Sequence, residues 1–252
     1  MKAYFTPSLP LPEEIIYSCI ENFDLKGTEL GNQDRNKIKC FKTEYGITLN
    51  VKAFKIPNLI NKVVYRFFRK SKAQRSFEYA QHLKEKGLGT PQPLAYLEAK
   101  SLLSFGKSYY VCEHIEADYT YRDFTKDFTI PNYEEILRAF TRFTFKLHEN
   151  NILFLDHSPG NTLIKLEDGE PNFYLVDLNR MLFKPLSLDE RIKNFARLTT
   201  HKKMVELMSD EYSKCMQLPF DVVFEKMWAE TQDFQAKFKR KKRIKKKIKF
   251  WK

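Results

Sequence analysis

Polar and apolar residues alternate through Lys37-Ile38-Lys39-Cys40-Phe41-Lys42, the period of a strand with one buried face. Glu44-Tyr45-Gly46 then predicts a turn, and 47–56 a returning strand that Pro57-Asn58 ends. A helical pattern follows over 73–86, with Gly87 as its C-terminal cap. The stretch 108–115 is almost wholly apolar or aromatic and predicts a buried strand. Past Pro131 the period changes. Asn132, with Glu135 three residues on, predicts a capped helix start, and Ile136, Phe140, Phe143 and Leu147 recur at helical spacing as core contacts to about Glu149. Two short strands are expected around two Asp motifs, the second inside the apolar run 173–179. Ser187-Leu188-Asp189-Glu190 reads as another capping box, and helical patterns run on to about Phe238. A β-rich part, a connecting strand and a helical part give an α+β chain, with expected divisions 1–115 and 116–236 before a C-terminal segment 237–252.

Composition adds bounds. A chain of 252 residues that is 42% apolar and 15% aromatic can bury a real core in one bilobal unit or two small domains. The formal charge of +12 is uneven. Eleven of the 44 Lys and Arg, and no acid, fall in 237–252, so the other 33 nearly balance the 32 acids. A near-neutral body argues against nucleic acid as its main partner and moves the question to the C-terminal segment. There Ile244, Ile248 and Trp251 recur among the cations, a pattern suited to docking on an anionic membrane. A solvated disordered end and phosphate-neutralising RNA contact are the other readings of the same residues. Cys19, Cys40, Cys112 and Cys215 stand far apart, which suits reduced thiols in the cytoplasm and no zinc site. No signal-peptide pattern or membrane-spanning run is expected, so the protein reads as soluble or peripheral.

The candidate chemistry lies in the second half. Asp156 is followed five residues later by Asn161, and Asp177 comes after an intervening hairpin. Phosphoryl transfer from ATP needs one carboxylate to orient the attacking hydroxyl, and an amide and a second carboxylate to hold Mg²⁺ against the phosphates. Such a site also needs an upstream strand lysine for the α- and β-phosphates, and a helical glutamate to orient it. Lys52 fills the first role, with Lys55 as its competitor, and Glu78 the second; 113–115 would offer adenine the backbone groups of Glu113 and Ile115. Each residue also has a plain reading. Asp156 and Asn161 could cap a turn, Glu78 and Lys52 could face water, and Asp177 could sit in a core salt bridge. His157 reads as a hydrogen-bonding loop histidine.

From Val51 through Ser71-Lys72-Ala73-Gln74-Arg75-Ser76-Phe77-Glu78 and Gly89-Thr90-Pro91, then Asp156–Asn161 and Val176-Asp177-Leu178-Asn179-Arg180, the chain resembles the lipopolysaccharide kinases, those of 3-deoxy-manno-octulosonate (Kdo) and core heptose among them. The resemblance spans roughly 30–183. It implies a protein-kinase-like fold and ATP-dependent phosphorylation of a sugar hydroxyl on the inner core of a lipid-anchored saccharide; with the basic C-terminal segment, the expected place of action is the inner face of the cytoplasmic membrane. It would make Lys52 the phosphate-binding lysine, Glu78 its partner, Asp156 the catalytic carboxylate, and Asn161 and Asp177 the Mg²⁺ ligands. The chain departs from the protein-kinase pattern in places. Phe154 stands where a histidine is usual, Ser158 where a lysine is, and the metal triplet reads Asp177-Leu178-Asn179. Gly31-Asn32-Gln33-Asp34-Arg35-Asn36 takes the place of a glycine-rich loop, so a phosphate clamp there would use backbone amides and Arg35. The absence of an Ala-Pro-Glu segment favours a small or glycan acceptor over a protein. Two rival readings keep the same residues: a kinase-like binding protein with little catalysis, and an RNA-associated kinase.

Overall fold

The computed structural model describes residues 1–31, 36–55, 70–100 and 105–250, and these form two compact units. The first comprises Met1–Glu116 with Asp177–Asn179, and the second Ala117–Val176 with Arg180–Lys252.

The first unit is built on a six-stranded antiparallel sheet in the order β1-β5-β6-β4-β3-β2. Its strands are β1 (Lys2–Phe5), β2 (Thr28–Glu29), β3 (Lys37–Lys42), β4 (Thr48–Phe54), β5 (Pro93–Lys100) and β6 (Phe105–Glu113). The alternation at 37–42 is β3, as its period predicts, and β4 returns from the turn at 44–46. Whether Pro57-Asn58 ends the strand lies outside the described residues, as does the expected clamp residue Arg35. Strand pleating sorts side chains by parity. Leu49, Val51, Tyr109 and Val111 face Ile16 and Ile20 of α1 (Glu13–Glu21) in one core. Lys52, opposite Tyr110, is on the other face, where Tyr96 meets Phe77 of α2 (Lys72–Glu85) at 5.3 Å. Ser71 caps α2 by accepting from the Gln74 amide. The helix ends on Gly87 at φ +63, with Gly87 N–H donating to Lys84 O and Leu88 N–H to Leu83 O. That double bond needs a left-handed residue, hence glycine.

The second unit is helical around small β elements: β7 (Tyr119–Thr120), α3 (Tyr121–Phe124), α4 (Tyr133–Glu149), β8 (Ile152–Phe154), β9 (Thr162–Glu167), β10 (Glu170–Leu175), β11 (Met181–Phe183), α5 (Leu188–Lys193), α6 (Lys202–Met216) and α7 (Phe220–Phe250). Ile136, Leu137 and Phe140 of α4 join Met208 and Tyr212 of α6 and Met227 of α7 in its core. Arg138 ties α4 to α6 through Asp210 and Glu211, and Arg142 meets Glu211 as well. The capping box at Ser187–Glu190 is present. The one expected at Asn132 is not: Asn132 takes φ +56 without a side-chain cap, and Glu135 pairs with Arg142 at 2.7 Å instead. β9 and β10 form a hairpin whose turn, Asp168-Gly169, has positive φ at both residues (+52 and +85), the geometry a two-residue turn requires.

The C-terminal segment is no separate appendage. α7 starts at Phe220 and carries on without a break through the basic run, well past the expected helix end near Phe238. Trp251 lies outside the described residues. No helix among those described is long and apolar enough to cross a membrane.

Candidate active site

In the first unit, β4 carries Lys52 with its side chain only 11% exposed, and its ammonium lies 2.6 Å from Asp177 Oδ1. Lys55, beyond the strand end, is exposed, with its amide on Asn36 Oδ1. Burial and pairing therefore separate the two lysines. A second donor, Asn179 Nδ2, meets the same Asp177 oxygen at 2.6 Å. Asp177 is not inside a strand as expected: β10 ends at Leu175, and Asp177 stands beyond it at φ +59. Aspartate tolerates this left-handed backbone because its short side chain bonds locally, here to Asn179.

Glu78 does not meet Lys52. Among the described residues it pairs with Lys70, at 2.8 Å, and accepts from Gln74 Nε2. Lys70 precedes the α2 cap and competes for the glutamate, while Asp177 takes the Lys52 charge. At the end of β6, Glu113 donates its amide to Gln92 O and His114 its amide to Thr48 O. The backbone of Ile115 makes no hydrogen bond to a described residue.

In the second unit, the turn after β8 carries Asp156. Its side chain is 18% exposed and held by two arginines: Arg197 Nη1 at 3.1 Å and Arg180 Nη1 at 3.2 Å from Oδ1. Arg197 also donates to Leu155 O and lies 5.8 Å from the Phe234 ring of α7. Asn161 Nδ2 donates to the Asp156 carbonyl at 2.8 Å, and its main-chain carbonyl accepts from Val176, the residue before Asp177. With its amide nitrogen committed, Asn161 presents Oδ1. The signal for Asp156 and Asn161 was their spacing; Arg197 lies 41 residues downstream of Asp156 with no sequence mark of its own.

Below this turn is a buried cage. Phe154, fully buried, accepts from Asn194 Nδ2, and Asn194 Oδ1 meets His148 Nε2, whose Nδ1 lies 2.8 Å from the Tyr212 hydroxyl. His157 corrects the expectation of a hydrogen-bonding loop histidine. It is buried among Phe140, Phe154 and Phe195, and neither ring nitrogen has a partner. Burial, aided by the charge of His148 and Arg197, lowers its pKa to about 3, and burial lowers that of His148 to about 4. His157, Leu153, Leu155 and Arg197 line a cavity of about 360 Å³ with Phe234 and Glu230 of α7.

Asp177 in the first unit carries carboxylate oxygens and Asn161 in the second an amide oxygen, each a donor of the hard kind that Mg²⁺ takes. No trio of His, Cys, Asp or Glu able to hold a metal occurs among the described residues.

No match is found among curated proteins. Among solved structures, WaaP in complex with acyl carrier protein is similar in fold, with a TM-score of 0.64 over 95% of this chain and 99% of that one at 14% identity. The α+β architecture, with a β-sheet N-terminal part and a helical C-terminal part, is the one expected. Residues 51–217, which include Lys52, Glu78, Asp156, Asn161 and Asp177, match a single family description, and the chain belongs to the lipopolysaccharide kinase (Kdo/WaaP) family.

Proposed function

We propose that the protein transfers the γ-phosphate of ATP to a sugar hydroxyl of the lipopolysaccharide inner core, on Kdo or heptose. The observation that carries this reading is the buried Lys52 ammonium 2.6 Å from Asp177 Oδ1 in a chain of this family. A lysine taken out of water needs a charged partner, and a nucleotide phosphate is the partner that site chemistry would add. Lys52 would grip the α- and β-phosphates, and Ile115 with Glu113 would meet adenine. Asp177 and Asn161 would hold Mg²⁺, which neutralises developing charge on the phosphates when bound. Asp156, oriented by Arg197 and Arg180, would accept or direct the proton of the attacking hydroxyl. Glu78 stays a candidate partner of Lys52, reached by exchanging Lys70 for it when nucleotide draws Asp177 away.

The acceptor is a glycolipid, so the proposed location is the cytoplasmic face of the membrane, where ATP is available. The basic end of α7 would dock there on anionic lipid. Incubation with labelled ATP and a panel of inner-core glycolipids, followed by mass analysis, tests the transfer. ATP binding without phosphorylated product would favour a kinase-like binding protein instead. The structural neighbour's complex with acyl carrier protein suggests a second partner for this chain. Co-elution of the two purified proteins in size-exclusion chromatography tests that.

A further inference from the structure

Three arginines border the turn at 156–161, and the turn itself carries only one carboxylate. Arg197 and Arg180 are bonded to Asp156. Arg122, of α3, lies against Gly160: a Cβ added to this glycine would run into Arg122 Nη2 and sit 3.2 Å from its Cζ. The Arg122 guanidinium makes no hydrogen bond or ion pair with any described residue. Its neighbour Asp123 is turned to the Thr120 amide and hydroxyl, both at 2.8 Å. Arg180 is 56% exposed and engages Asp156 through Nη1 alone. Two guanidiniums with free donors therefore stand at the turn that carries the catalytic carboxylate.

Uncommitted guanidinium forks beside a reactive carboxylate match a planar carboxylate or a phosphate in geometry and charge. We propose that Arg122, with Arg180, forms an anion subsite for the acceptor, so that the sugar phosphorylated here carries a carboxylate or phosphate close to the reacting hydroxyl. This rests on the kinase reading above, in which Asp156 orients the acceptor. The donor phosphates have Lys52 and Mg²⁺, whereas an anion on the acceptor has no other cation assigned to it. The subsite also gives the exposed Arg180 a second task besides holding Asp156.

The test uses the full-length protein and four acceptors: a Kdo saccharide, its carboxyl-reduced alcohol, a heptose phosphate and the free heptose. For one of the two pairs, wild-type kcat/KM should favour the anionic member by roughly 10- to 100-fold, the range of a charge-assisted hydrogen bond. Which pair shows it identifies carboxylate or phosphate. Arg122→Gln should abolish the preference by raising KM for the anionic acceptor, Arg122→Lys should restore part of it, and Gly160→Ala should weaken it by displacing the guanidinium. KM for ATP should stay as in the wild type. Equal use of charged and neutral acceptors by the wild type would overturn the subsite and leave the kinase reading intact. So would an Arg122→Gln defect that strikes both members equally, or one that appears in KM for ATP. Calorimetric binding of the same four sugars separates the two ideas: anion-selective binding that needs Arg122, with no transfer, would count against the kinase alone.

Discussion

Asp156 is held from two directions, and that geometry decides what its loss should do. The side chain is fixed by Arg197 and Arg180, so it is already oriented before substrate arrives. Asp156→Ala should lower turnover by roughly 10²–10⁴-fold, the contribution of a positioned acid or base, while nucleotide binding measured by calorimetry survives. Wild-type turnover in that variant would remove Asp156 from the chemistry. Asp177→Asn exchanges a charged oxygen for a neutral one and should weaken Mg-ATP binding as well as turnover; unchanged Mg-ATP affinity would leave Asp177 with a structural role beside Lys52. The buried histidines make a different prediction. With pKa values of about 3 for His157 and about 4 for His148, against about 6.5 when unfolded, the unfolded chain takes up the protons first on acidification. Stability from this source is present above pH 6.5 and is lost as the pH falls toward 4. The thermal midpoint of His157→Phe, which fits the aromatic cage, should therefore fall less between pH 7 and 5 than that of the wild type.

Among the elements, those written in local chemistry were legible in the sequence. β3 shows in its alternation, the close of α2 in Gly87, the α5 capping box in Ser187 and Glu190, and the β9–β10 hairpin between Asn161 and Asp177. The candidate set Lys52, Glu78, Asp156, Asn161 and Asp177 stood out by its order and spacing, which are those the proposed reaction would need. What escaped was decided by partners that the local pattern does not specify. Asn132 and Glu135 have the right identities for a capping box, but the ion pair with Arg142 takes the glutamate. Glu78 has the right place on α2, yet Lys70, whose pairing no spacing rule predicts, claims it. β1 is recognisable only by its antiparallel partner β5, more than 90 residues away in several pairs of the register. The greatest difference is α7, whose pattern shifts from apolar to basic without any break in the helix. Phe234 and Thr231 then belong to the folded body: Thr231 is buried, and Phe234 packs under Arg197. Phe234→Ala should free Arg197 and reduce turnover by about tenfold at unchanged Mg-ATP affinity. A turnover like the wild type's would show that Leu155 and Asp156 hold Arg197 by themselves.

At the scale of the whole molecule, a near-neutral body is joined to one end that carries eleven positive charges in 237–252. Because α7 runs through to Phe250, those charges project along a helix, with Phe238 and Ile244 exposed among them. A cationic helix with scattered apolar side chains gains on the order of 1 kcal/mol per Lys or Arg near an acidic leaflet, less when crowded. The structure also fixes where a test should cut. Truncation after Thr231 would remove Phe234 from the cavity wall and confuse docking with folding, whereas truncation after Phe238 spares the α7 residues seen, among those described, to pack on the body. The protein cut after Phe238 should keep its thermal midpoint and its ATP affinity. It should lose binding to vesicles containing anionic lipid, a binding that in the full-length protein weakens with added salt. Its activity on a vesicle-embedded acceptor should drop more than its activity on the same acceptor freed of lipid, since a folding defect would depress both alike. Equal vesicle binding by the two proteins would end the membrane reading and leave the basic half of α7 to a soluble partner.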